Sequence, residues 1–142
     1  MNGYKYKECW SKKGENFSVE IVNWNRAEIG EEDKYRELGM DTDMWNYYCY
    51  ISPKHPLFDR LEEDMCNVPI NNLHCGCTDV KWFRDENGFV TCKRYGCDYG
   101  HIWDDHFNLH DSKYKKSVVH GEAEELFQEL SNYNIQKEDN NA

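Results

Sequence analysis

The chain has 142 residues, with 17 basic against 27 acidic side chains and a formal net charge of −10. That length suits one domain with a single core. The acidic balance argues against a protein that grips nucleic acid by neutralising phosphates, and fits one whose partner is a basic surface. No apolar run reaches the roughly 18 residues that a membrane span needs. The opening MNGYKYKECW lacks the apolar core of a secretory signal. Seven cysteines without such a signal point to a reducing compartment, with thiols either free or holding metal.

Residues 1–16 are polar, and Lys12-Lys13-Gly14 marks a turn. Phe17 to Asn23 alternates apolar and polar residues, the pattern of a half-buried strand. Residues 25–43 are charged, with room for one short helix near Glu31–Leu38. Trp45–Ile51 is rich in strand formers and ends at Ser52-Pro53. His55–Leu61 reads as a short helical turn with Pro56 in its first turn.

Asp79–Arg84 and Phe89–Tyr95 flank Asn87-Gly88, the best hairpin signature in the chain. Ser117 is a candidate N-cap for a helix whose stripe comprises Val119, Ala123, Leu126, Phe127, Leu130 and Tyr133. Together these predict an α+β fold: one domain over residues 1–133, a mostly antiparallel sheet carrying a C-terminal amphipathic helix, and a flexible polar tail over 134–142.

A two-residue turn at Asn87-Gly88 sets Trp82 opposite Lys93 and, extended back, Cys77 opposite Asp98 and His74 opposite His101. His74, His101 and Asp98, with His55 and Asp104 as further candidates, could then hold a zinc-like ion with an open position. The bland alternative has these imidazoles bonding the backbone near glycine turns. A rival set is Cys75, Cys77, Cys92 and Cys97, four thiols that could close a structural zinc site or pack as small hydrophobes. Cys97 beside a histidine could also act as a nucleophile. Trp82 and Trp103 could stack a planar ligand, or simply belong to the core.

The order Tyr48-x-Tyr50-Ile51-x-x-x-His55-Pro56-Leu57-Phe58, Asn72-Leu73-His74-x-Gly76-x-Thr78 and Gly96-x-Asp98-x-Gly100-His101-x-x-Asp104 resembles a family of small phage and prophage proteins. Those read "GHPLY", "VHGGLT" and "GFDCAH" in the same order, followed by a C-terminal helix like the one carrying Glu124-Glu125-Leu126 and Glu129-Leu130. The resemblance spans roughly residues 45–133 and implies a phage origin without an assigned activity. It favours the matching His55, His74, Asp98 and His101 over the cysteines. Cys75, Cys77 and Cys97 stand where the family has other residues.

Two functions follow as expectations. One is a phage accessory protein of the host cytoplasm that binds and inhibits a host protein, its carboxylates competing with nucleic acid on a host nuclease. The other is a small metal-dependent hydrolase, or a pocket sequestering a small nucleotide, built on the His/Asp cluster. Neither expects direct nucleic-acid binding or a membrane.

Overall fold

A computed structural model describes residues 5–25, 31–38, 42–99 and 112–141. Five strands form one antiparallel sheet: β1 (Lys5–Gly14), β2 (Phe17–Asn25), β3 (Asp43–Ile51), β4 (Asp79–Arg84) and β5 (Val90–Asp98). Their spatial order is β1-β2-β3-β5-β4, so β5 returns between β3 and β4. A short helix α1 (Glu32–Glu37) precedes β3, and a long helix α2 (Ser112–Asn141) closes the chain. The α+β architecture agrees with the sequence reading. Among the described residues no helix is long and apolar enough to cross a membrane.

Alternation along the strands decides which face is covered. Odd-numbered residues of β2, β3 and β5, among them Val19, Ile21, Tyr47, Cys49, Tyr95 and Cys97, are buried. They meet Val119, Ala123, Leu126 and Leu130 of α2, which lie on one side of the helix at spacings of three and four. The long β3–β4 connection covers the rest of that face with Leu57, Phe58, Leu61, Ile70 and Leu73. The even-numbered residues line the other face, where the Tyr48 ring lies on Gly96. A Cβ on Gly96 would meet that ring at 2.2 Å.

Several elements differ from expectation. β1 occupies residues read as a polar lead, and the chain reverses after Gly14, with Asn16 in the left-handed region at φ 65°. β1 is an edge strand whose lysines are tolerated there, because an edge faces water and charge discourages further pairing. Its Lys12 extends to Glu124 of α2 at 3.0 Å and lies 4.1 Å from the Phe127 ring centre. α2 begins at Ser112, which places Ser117 inside the helix rather than at its cap. The preceding turn puts Lys115 on the covered stripe, buried near Asp43 at 3.8 Å. An apolar pattern therefore does not reveal it. The helix also continues to Asn141 through the stretch read as a tail, which contains neither glycine nor proline.

The β4–β5 hairpin reaches its expected register by another route. Asp85 takes the main-chain N–H groups of Asn87 (2.9 Å) and Phe89 (3.0 Å) on its carboxylate, and Gly88 adopts φ 85°. Arg84 thus pairs with Val90, and a bulge then restores Phe83 opposite Cys92 and Trp82 opposite Lys93.

Candidate functional site

The loop before β4 carries the second sequence motif, and it is bound at both ends. Glu129 of α2 accepts the main-chain N–H groups of Asn71 (2.9 Å) and Asn72 (2.9 Å), together with the Asn72 side-chain amide (2.7 Å). From the sheet, the Tyr47 hydroxyl donates to the Asn72 carbonyl (2.8 Å) and accepts from the His74 N–H (2.9 Å). Burial pushes the Tyr47 phenol far above its ordinary range, so it stays a donor as this bridge requires.

These anchors fix the His74 ring. Its Nδ1 lies 2.9 Å from Glu122 Oε2 of α2, and its plane stacks on Tyr99 with centroids 4.0 Å apart and 22° between planes. The Tyr99 hydroxyl donates to the same carboxylate oxygen at 2.9 Å. Burial, followed by the neighbouring Tyr47 and Glu122, raises the Tyr99 phenol and keeps its proton in place. A carboxylate bonded to one ring nitrogen selects the tautomer and orientation of an imidazole, an arrangement shared by metal-ligating and proton-accepting histidines. Beside this group opens a cavity of about 310 Å³ lined by Tyr47, Asn71, Asn72, Leu73, His74, Glu122 and Glu125.

The expected His/Asp partnership is redrawn. Pairing of β4 with β5 ends at Asp79 opposite Gly96, and Cys75 (φ 56°) and Gly76 (φ 92°) turn the chain away before it can extend the ladder. His74 consequently lies on the helix-covered side with Tyr99, whereas Asp98 alternates to the other face and accepts from the Thr78 hydroxyl at 3.2 Å. His101, Trp103 and Asp104 lie outside the described residues.

His55 is buried, and both its ring nitrogens meet main chain. Nδ1 accepts from the Leu57 N–H at 3.1 Å, which leaves Nε2 to donate to the Leu130 carbonyl at 3.0 Å. It ties the His55-Pro56 turn to α2 and offers no lone pair to an ion.

The four-thiol site does not assemble. Cys92 and Cys97 are an odd number of residues apart on one strand, so they point to opposite faces. Cys97 is fully buried near the Tyr47 carbonyl, while Cys92 lines a shallow hollow with Ser18 and Tyr50 on the open face. One ion cannot reach both at the ~2.3 Å of a zinc–thiolate bond. Burial also pushes the Cys97 thiol up to about 12, the reverse of an activated nucleophile. Among the described residues no three His, Cys, Asp or Glu side chains converge as a metal site.

Trp82 is used in a clamp. Its Nε1 donates to the Tyr95 hydroxyl at 3.1 Å, and its ring lies 4.2 Å from the buried Lys93 ammonium. Lys93 in turn donates to the carbonyls of Phe58 (2.7 Å) and Leu61 (2.9 Å).

The sequence reading missed Glu122, Glu129, Tyr47 and Tyr99. The two glutamates looked like the solvated side of an amphipathic helix. Their spacing of seven puts them on one helix face, but nothing local says that a loop crosses there.

A second surface lies at the hairpin tip. Phe89 is 70% exposed and Met65 54% exposed. The Arg84–Glu63 ion pair, at 3.1 Å, draws their two segments to one corner. Glu62, Asp64, Asp85 and Glu86 are exposed in those same segments. Comparison of the chain with family models, curated proteins and solved structures gives no match.

Proposed function

We propose that the chain is an accessory binding protein that occupies a basic surface on a host nucleic-acid-binding protein, in the host cytoplasm, and so inhibits it. The observation that carries this reading is the hairpin corner. Exposed Phe89 and Met65 stand among Glu62, Asp64, Asp85 and Glu86 on a chain of net charge −10. An apolar anchor within a rim of one charge suits a partner with an apolar pocket set in a basic channel. The resemblance to small phage proteins favours a host-directed role for such a surface.

The test follows degradation of a labelled DNA duplex by a bacterial extract. The wild-type chain should slow it at low salt and lose that effect as salt screens the contact. The combined Phe89→Ala, Asp85→Lys and Glu86→Lys variant should not slow it. Equal inhibition by that variant, or none by the wild type, overturns the reading.

The second reading, a metal-dependent hydrolase or a nucleotide-sequestering protein, draws on the Glu122–His74 pair, since a carboxylate on one nitrogen orients the other toward an ion or a proton. Elemental measurement on the purified chain separates the two. Near-stoichiometric zinc that disappears in His74→Ala favours the hydrolase, and a metal-free wild-type chain favours the binder.

A further inference from the structure

The cavity beside His74 lies near the end of β5 away from the hairpin tip, so its chemistry can be considered apart from the binding surface just described. Two properties of its walls point the same way. First, the donors of its loop are already used. The N–H groups of Asn71 and Asn72 and the Asn72 side-chain amide go to Glu129, the His74 N–H goes to Tyr47, and the Gly76 N–H goes to the Leu73 carbonyl at 2.9 Å. A phosphate or carboxylate is ordinarily held by main-chain N–H groups or by Lys and Arg. This loop has spent the former, and no lysine or arginine is among the described residues lining the cavity.

Second, what remains accepts. With its amide nitrogen fixed on Glu129, Asn72 turns an acceptor oxygen elsewhere. Glu122 and Glu125, three residues apart on α2, add carboxylates to the wall, and Tyr47 and His74 contribute aromatic rings. The loop is anchored to both sheet and helix, so these groups are set before any ligand arrives.

We propose that this cavity is a binding site for an organic cation, a primary ammonium or guanidinium group, and that it discriminates against anions. The group could belong to a free amine or to a basic side chain of a peptide, and the test includes both. Agmatine and a short uncharged peptide carrying one central arginine are titrated into the full chain, with the Asn72 side-chain amide and His74 ring followed by NMR. Inorganic phosphate and sodium chloride at matched ionic strength are the comparison titrants.

Saturable shifts at Asn72 and His74 with agmatine, weakened roughly tenfold or more by Glu125→Lys, are expected. Glu125 is exposed, so that substitution leaves the core intact. Tighter binding of the peptide than of agmatine assigns the site to a protein side chain, and the reverse order assigns it to a free amine. Shifts that sodium chloride reproduces, binding undiminished in Glu125→Lys, or a site that takes phosphate and not agmatine would overturn the proposal. Its failure leaves the hairpin-tip reading untouched, because that reading is tested by Phe89, Asp85 and Glu86.

Discussion

Glu129→Ala tests whether the second motif is held from the helix. The carboxylate accepts three hydrogen bonds, two from main-chain N–H groups and one from the Asn72 amide. Hydrogen bonds to a charged group contribute about 1.5–3 kcal/mol each when buried. Asn71 is exposed and Asn72 only half-buried, so water recovers part of each bond. About 1 kcal/mol per bond is then reasonable, or about 3 kcal/mol in all, on the scale of ordinary intramolecular bonds. At about 3–4 °C per kcal/mol for a domain of this size, melting should fall by roughly 10 °C.

The melt alone cannot tell a loop clamp from general destabilisation, so amide hydrogen exchange is read as well. In the intact protein the Asn71 and Asn72 amides should exchange slowly for loop residues. In Glu129→Ala they should exchange at close to free rates, while amides within the β2–β3 ladder change only by the global loss of stability. Unaltered exchange at Asn71 and Asn72, or a melt within a degree of wild type, would refute the clamp.

Other substitutions test other links. Gly96→Ala drives a methyl into the Tyr48 ring and should cost about 1–3 kcal/mol in urea denaturation. Tyr48→Ala in the same chain should recover part of that loss, and strictly additive effects would contradict the contact. Leu126→Ala opens space under the helix where the side chain is fully buried. It should cost about 2–5 kcal/mol with no change in the denaturant slope. His120 has its pKa lowered, chiefly by burial, with Lys116 adding to the effect and Glu8 opposing it. The folded state therefore favours the neutral ring. Its contribution is complete above the ordinary value of 6.5 and is lost as pH falls from there through the lowered folded value. His120→Phe, which keeps an edge contact on Trp10, should flatten the fall of melting temperature across that window. An unchanged slope would show that the acid sensitivity lies elsewhere.

Much of the fold could be read locally. Period-two patterning marks β2 and β3, the Asn87-Gly88 bend marks the β4–β5 hairpin, and the Val119–Leu130 stripe marks α2, because each alternation is a direct image of which side is covered. β1 escaped since an edge strand beside water needs little apolar character. The start of α2 escaped since Lys115 occupies a stripe position. At the site, the sequence identified His74 as a residue to watch and brought it near the end of β5.

Its partners were a different matter. Local reading matched His74 to Asp98, whereas the folded chain matches it to Glu122 and Tyr99. A one-residue difference along a strand reverses the face on which a side chain stands, and a glutamate four helical turns from the chain end looks the same whether water or a loop lies against it. Periodicity records that a face is buried. Which atoms meet across that face depends on where the Gly76 bend and the long β3–β4 connection place one element against another, and only the tertiary structure decides that.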